Sequence, residues 1–242
     1  MKLAIMQPYF LPYIGYFQLI NSVDRFISYD NVSYTTRSWI NRNRVLIRSG
    51  SIAYITVPVK HSGSDTYIHS IRIDNSQNWR QRILRTLYLN YRYAPFFEES
   101  FPLMEKLLIE HYDMISALNR KSLALICRHL GIDTLFIDDS GRYSAIEEQL
   151  KTAEASDKKH SRIISICKQE MADIYVNAIG GEKLYSKDIF MSEKINLLFI
   201  KTGQFRYNQN QSIFHPNLSI IDVLMYAGVK KTKEFLNLYE LV

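Results

Sequence analysis

Apolar positions along the chain switch repeatedly between short continuous runs and helical spacing. Runs rich in β-branched and aromatic residues fall at Leu3 to Met6, Arg25 to Tyr29, Ala53 to Val59, Ile68 to Ile73, Thr134 to Ile137, Ile174 to Asn177 and Asn196 to Ile200, which have the length and composition of strands. Between several of them apolar residues recur every three or four positions. Ile83, Leu84, Leu87 and Tyr91 do so within Trp79 to Tyr91, and one longer run extends from Glu98 to Leu130. His160 to Met171 repeats the pattern. Short strands alternating with helices predict an α/β fold built on a doubly wound, mostly parallel sheet.

Punctuation refines this picture. Gly131 reads as the C′ residue closing the long helix, and Asp138-Asp139-Ser140-Gly141 as a turn at a strand's carboxyl end. Val57 to Ile73 reads as a local hairpin or flap, and the charged stretch Lys151 to Lys159 as a mobile connection. Leu218 to Tyr226 and Lys233 to Leu241 predict two helices that close the C-terminus. We expect a nucleotide-binding core with an inserted helical segment in residues 1–150. The remainder of the core and the C-terminal helices follow in 151–242, the whole forming one compact unit.

Composition narrows the class. A chain of 242 residues, 47% hydrophobic and 22% charged, supports one sizeable core. No stretch approaches the roughly 20 apolar residues needed to cross a bilayer, and Gln7, Pro8 and Pro12 interrupt any leader-like run, so a cytoplasmic protein is expected. Cys127 and Cys167 sit in apolar helical contexts, as thiols packed in a reduced protein do. The net charge of +6 and pI near 9.1 favour anionic partners such as nucleotides, sugar nucleotides, RNA or an acidic membrane face. No metal is expected, because His and Cys are nowhere paired at ligand spacing. The glycine fingerprints of P-loop and dinucleotide sites and the serine-hydrolase elbow are absent too.

The candidate chemistry starts at the N-terminus. Met1 to Met6, the aromatic loop Gln7-Pro8-Tyr9-Phe10-Leu11-Pro12-Tyr13-Ile14-Gly15-Tyr16 and the apolar run from Phe17 spell strand, loop, helix. Such a loop delivers backbone N–H groups and a positive helix end to one point, with Gly15 allowing close approach by phosphate. Asp30-Asn31 follows the second strand. Trp39, Asn41, Arg42 and Asn43 then offer stacking, amide hydrogen bonds and a cation to a sugar or base. Lys60 and His61 are candidates for phosphate contact and proton transfer, Gly180-Gly181 with Lys183 and Tyr185 for close backbone approach to an anion. His215, in a polar and aromatic stretch, is the stronger general-base candidate. Ser219 and Asp222 read equally as a helix cap or as site residues.

The same blocks carry a resemblance. Gln7-Pro8-Tyr9-Phe10, Pro12-Tyr13-Ile14-Gly15-Tyr16, Trp39-Ile40-Asn41-Arg42-Asn43, Thr56-Val57-Pro58-Val59, Tyr91 with Ala94-Pro95-Phe96-Phe97, Gly180-Gly181 with Tyr185, and Leu218-Ser219-Ile220-Ile221-Asp222 resemble the WbqC-like family of bacterial O-antigen (lipopolysaccharide) gene clusters. The resemblance implies a transferase or ligase that joins an amino acid such as glycine, or another acyl donor, to a nucleotide-linked amino sugar. The donor would be preactivated, carrier-bound or tRNA-bound.

The N-terminus is also similar to the Rossmann-like nucleotidylyltransferase and class I synthetase (HUP) superfamily. There a His-x-Gly-His motif contacts ATP phosphates, whereas this chain has Tyr13-Ile14-Gly15-Tyr16. That resemblance raises ATP with magnesium as cofactors. On this reading His215 or His61 serves as base, and Tyr16, Asn41 and the Gly15 or Gly180 N–H groups bind developing charge. A nucleotidylyltransferase acting on a sugar phosphate and a non-catalytic module for aminoacyl-tRNA or protein stay open as alternatives, as does a homodimer.

Overall fold

A computed structural model describes residues 1–60, 63, 66–138, 140–151 and 155–242. In chain order the first half comprises β1 (Lys2–Met6), α1 (Ile14–Asn21), β2 (Arg25–Ser28), β3 (Arg42–Leu46), β4 (Ile52–Thr56), α2 (Trp79–Tyr91), α3 (Phe97–Ile109), α4 (Ile115–Leu130) and β5 (Leu135–Ile137). The second half comprises α5 (Ser144–Leu150), α6 (Ala155–Gln169), β6 (Ile174–Ala178), α7 (Lys187–Ser192), β7 (Asn196–Thr202), α8 (Ile220–Phe235) and β8 (Tyr239–Leu241).

Six strands form one sheet in the order β5-β2-β1-β6-β7-β8. All neighbours are parallel except β8, which runs antiparallel to β7 and caps that edge. The sheet therefore spans both halves of the sequence. From β1 the chain builds outward through β2 to β5, then returns to lay β6 on the other side of β1. Strand order reverses between β1 and β6, the position at which open α/β sheets leave a crevice beyond their carboxyl ends.

Both faces are covered, as a parallel sheet requires. Side chains alternate across the pleat: Ala4 and Phe26 join the core packed by Phe17, Trp79, Leu118 and Leu224, while Leu3, Ile5 and Ile27 join the opposite core of Tyr143, Ile166, Tyr175 and Phe190. The α/β doubly wound fold expected from the periodicity is what the chain adopts.

Several elements differ from the sequence reading. Arg42–Leu46 is a strand paired antiparallel with β4, Arg44 opposite Tyr54, in a separate hairpin. Ile68 to Ile73 is no strand; it holds a single 3₁₀ turn at Ile68–Ser70, and only isolated bridges tie Ile73 to Val59 and Arg72 to Met114. The run Glu98 to Leu130 breaks into α3 and α4, because the Ile73 N–H donates to the Asp113 carbonyl at 2.8 Å and the Ile115 N–H to the Ile71 carbonyl at 3.0 Å. These bonds hold residues 110–114 outside a helix.

Gly131 closes α4 with φ 65°, in the conformation glycine adopts without steric cost. Helix α6 begins at Ala155, inside the stretch expected as a mobile connection. The C-terminal closure is α8, in which non-helical backbone at Gly228 (φ 71°) separates two helical segments; the second ends at Phe235, and Tyr239–Leu241, expected as helix, is the strand β8. No helix among the described residues is long and apolar enough to cross a membrane. Cys127 and Cys167 are free and buried; burial pushes the Cys167 thiol up to about 12.

Candidate functional site

The loop that leaves β1 is held by its carbonyls. The Tyr16 hydroxyl donates to the Gln7 carbonyl at 2.8 Å, and Asn119 Nδ2 to the carbonyls of Pro8 and Ile40 at 2.8 and 2.7 Å. Asn43 Nδ2 donates to the carbonyls of Phe10 and Leu11, both at 2.9 Å. Ser219 Oγ donates to the Leu11 carbonyl at 2.8 Å and the Ile220 N–H to that of Pro12 at 2.8 Å. Leu11 sits at φ 44°, a conformation costly for a side chain with a Cβ, and its doubly bonded carbonyl helps hold it there. Asn41, equally buried, donates to the Val57 carbonyl at 3.0 Å. The amides of Asn41, Asn43 and Asn119 are thus scaffolding, and those of Asn43 and Asn119 fix a loop whose two prolines bring no N–H of their own.

Beyond that loop lies a cavity of about 930 Å³, at the carboxyl ends of β6 and β7 and the start of α1, next to the switch point. Tyr9, Tyr13 and Ile14 form one wall, Trp39, Asn43 and Arg44 a second, and Ile179 with Lys201 to Tyr207 the floor and far side. Phe214 and residues 216–218 complete the rim. Three cations, Arg44, Lys201 and Arg206, reach it, and no aspartate or glutamate is among its described lining residues. Burial raises the Tyr9 and Tyr13 hydroxyls above the usual phenol range, so both stay neutral donors. Tyr13, the residue before α1, supplies no side-chain cap, leaving the positive end of that helix at the cavity wall. Gly15 lies behind Tyr13: a Cβ there would come within 2.3 Å of the Tyr13 ring and 2.7 Å of Thr202 Oγ1.

The rim from Phe205 to Leu218 has no regular structure and is moored to a buried carboxylate. Asp222, fully buried in the first turn of α8, accepts from Tyr207 Oη at 2.6 Å, Gln209 Nε2 at 2.8 Å and Tyr91 Oη at 2.8 Å. Burial raises this carboxyl above its ordinary value, against the opposing hydrogen bonds of Tyr207, Tyr91 and Gln209. Gln209 also donates to the His215 carbonyl at 3.0 Å and accepts from the His215 N–H at 2.8 Å. His215 Nε2 lies 2.9 Å from the Gly50 carbonyl, so that nitrogen carries the hydrogen. The imidazole thereby ties the rim to the turn of the β3–β4 hairpin.

Of the residues singled out by sequence, Tyr9, Tyr13, Trp39 and Asn43 line the cavity, with Gly15 directly behind. Gln7, Pro8, Asn41, Ser219 and Asp222 shape it from outside. Ser219 is the N-cap of α8, its Oγ accepting from the Ile221 N–H at 3.4 Å. Tyr16 cannot act as a catalytic acid or base on a ligand: it is buried, spends its hydroxyl on the Gln7 carbonyl, and burial holds it far above the phenol range. His215 is not among the lining residues, and its Nε2 is occupied. Arg42 lies outside the cavity, over the Tyr54 ring at 4.6 Å, and Arg44 takes the place expected for it.

The remaining candidates lie elsewhere. Asp30, at the end of β2, is buried and pairs with Arg120 at 3.0 Å; it and Asn31 stand away from this lining. Lys60 is exposed and also outside it, and His61 lies outside the described residues. Gly180, Gly181 and Lys183 form a 3₁₀ turn after β6, contributing Ile179 to the cavity rather than their own backbone. Tyr185 packs on Tyr175, Phe190 and His160 in the second core. Arg44, Lys201 and Arg206 were missed. Their only sequence signal is basic residues at strand positions and inside the aromatic stretch Phe205 to Phe214.

This donor set suits phosphate: guanidinium and ammonium groups, an uncapped helix start and neutral phenols. It does not suit magnesium, which is ordinarily bound through one or two carboxylates as well as phosphate oxygens. The ATP half of the expected cofactor pair therefore fits the lining and the metal half does not.

Comparison with known proteins places these residues in context. A model of the WbqC-like protein family matches residues 7–234. The chain is 33% identical over 232 residues to an uncharacterized protein of Mycobacterium tuberculosis, with 95% of each chain covered. No solved structure matches it.

Proposed function

The chain belongs to the WbqC-like protein family, and on that premise we propose that it serves bacterial surface-polysaccharide (O-antigen) biosynthesis. As a transferase or ligase it forms an amide between an activated amino acid such as glycine, or another acyl donor, and the amine of a nucleotide-linked amino sugar. The observation that carries this reading is the cationic, aromatic, acid-free cavity beside the switch point. A diphosphate would meet Arg44, Lys201 and Arg206, and the rings of Tyr9, Trp39 and Phe205 would face the base or sugar.

The same charge pattern helps the chemistry. An amine attacks an acyl carbon only as its free base, and like charges nearby disfavour the ammonium form. A cavity with three cations and no carboxylate lowers the pKa of a bound ammonium, which starts near the α-amino range of about 7.7–8.0. The lining thus favours the nucleophilic form without a dedicated base, and the proton lost by nitrogen leaves with the departing group. The positive end of α1 at the cavity wall would favour negative charge developing on the acyl oxygen.

Calorimetry with uridine and thymidine diphosphate amino sugars, against the same sugars lacking the nucleotide, tests the binding half. Mass spectrometry of the sugar product after incubation with an activated glycine tests the chemistry. Binding that ignores the diphosphate, or an unmodified amine after incubation with every donor class, would remove this reading.

A further inference from the structure

The cavity has an extension on the protein surface. From Asn31 to Ser64 the chain carries five cations, Arg37, Arg42, Arg44, Arg48 and Lys60, and no carboxylate. The β3–β4 hairpin folds part of this segment into a ladder of planar groups. Arg44 lies over Trp39 at 5.4 Å, Trp39 stacks with Tyr54 at 6.5 Å and 24°, and Arg42 lies over Tyr54 at 4.6 Å. Arg48, in the hairpin turn, lies over the Tyr93 ring at 5.0 Å, and Arg92 lies over the same ring at 4.8 Å. Tyr54 is 51% and Tyr93 67% exposed.

Arginines that merely balance charge behave differently in this protein. Arg25, Arg120, Arg142 and Arg162 each pair with a carboxylate, whereas among the described residues Arg42, Arg44, Arg48 and Arg92 do so with none. The Nε atoms of Arg42, Arg44 and Arg92 are buried without a hydrogen-bond partner. Cations preordered by rings, with no acid to neutralise them, form a stacking platform inside a positive field. Single-stranded nucleic acid is recognised by that combination; duplex, whose bases are already stacked, is not. The inner end of the ladder, Trp39 with Arg44, also lines the cavity.

We propose that this face docks the single-stranded 3′ end of an RNA and that the acyl donor is an aminoacyl ester on its terminal ribose, which rests on the amide-forming reading above. The amine nitrogen of the sugar attacks the ester carbonyl carbon, the C–N bond forms and the C–O ester bond breaks. The ribose oxygen leaves with the proton given up by nitrogen. Neither ATP nor a redox partner is consumed.

The test is fluorescence anisotropy of the full chain with a labelled single-stranded RNA of about 12 nucleotides ending in CCA, against a duplex of equal length. Calorimetry of a uridine diphosphate amino sugar is run on the same samples. Tyr54→Ala and Tyr93→Ala alter exposed rings outside the cavity. The expected result is salt-sensitive binding preferring the single strand, weakened at least tenfold in the double variant, with nucleotide-sugar affinity unchanged. Equal binding to duplex, indifference to the two substitutions, or no RNA binding beside intact nucleotide-sugar binding would overturn the RNA inference alone. Loss of nucleotide-sugar binding in the unaltered protein would instead overturn the reading beneath it.

Discussion

Tyr207 donates its hydroxyl to Asp222 at 2.6 Å, and through that bond an irregular rim of the cavity is fastened to the first turn of α8. Removing the hydroxyl with Tyr207→Phe leaves a buried carboxylate oxygen short of a donor. The expected cost is about 1.5–3 kcal/mol, read as a melting-point drop of roughly 2–4 °C per kcal/mol. Affinity for the nucleotide sugar falls with it, because Tyr207 faces the cavity.

Asp222 makes that region sensitive to pH in a defined direction. Burial raises its folded pKa above the ordinary 3.8, so between those two values the folded chain binds more protons than the unfolded one. Its contribution is complete below 3.8 and is lost as pH rises through the raised value. Asp222→Asn removes this titration. In melting curves from pH 4 to pH 8 the advantage of the native residue over Asp222→Asn is expected to be largest at acid pH and to shrink as pH rises.

Lys201 and Arg206 are solvent-exposed and line the cavity, so their truncation separates binding from folding. Lys201→Ala and Arg206→Ala each reduce affinity for a uridine diphosphate sugar by about tenfold, about 1.4 kcal/mol, and flatten its dependence on salt. Melting temperatures stay within about 1–2 °C, since surface substitutions of this kind fall within about ±0.5 kcal/mol.

Gly15→Ala places a methyl group 2.3 Å from the Tyr13 ring and 2.7 Å from Thr202 Oγ1. Tyr13 has to move, and the overpacking costs about 1–3 kcal/mol. Weakened nucleotide binding together with reduced stability is the expected pair of readouts, measured by calorimetry and thermal denaturation.

His215 discriminates anchor from base. Loss of a general base typically lowers turnover by about 10²–10⁴-fold. An imidazole whose Nε2 is committed to the Gly50 carbonyl acts through the rim. His215→Ala is therefore expected to raise KM and lower stability, to change turnover by less than about tenfold, and to leave the shape of the pH profile intact.

Much of the fold was legible because parallel strands buried on both faces and helices packed on one face leave strong periodic signals. That holds for β1, β2, β6, β7 and α2. Arg42–Leu46 hid its strand because Arg42, Asn43 and Arg44 have weak β-propensity, and pairing with β4 supplies what propensity does not. The break at 110–114 likewise comes from bonds to residues 71 and 73, far off in sequence. In the site, aromatic residues of the first loop could be picked out from their position after a strand. The tasks of Asn41, Asn43 and Asn119 could not, since each answers a carbonyl whose need for a donor exists only in three dimensions. Lys201 and Arg206 looked like solvated cations until β7 and the rim brought them to one cavity.

The loop that shapes the cavity has a further property. Its Leu11 carbonyl is bonded by Ser219, 208 residues later, and Pro12 by the N–H of Ile220. During synthesis this loop must wait for donors made 208 residues later before it can take its final shape. Closing that loop is thereby a long-range event: however well the sheet has formed, the wall of the cavity at Pro12 is finished only when the start of α8 docks against it.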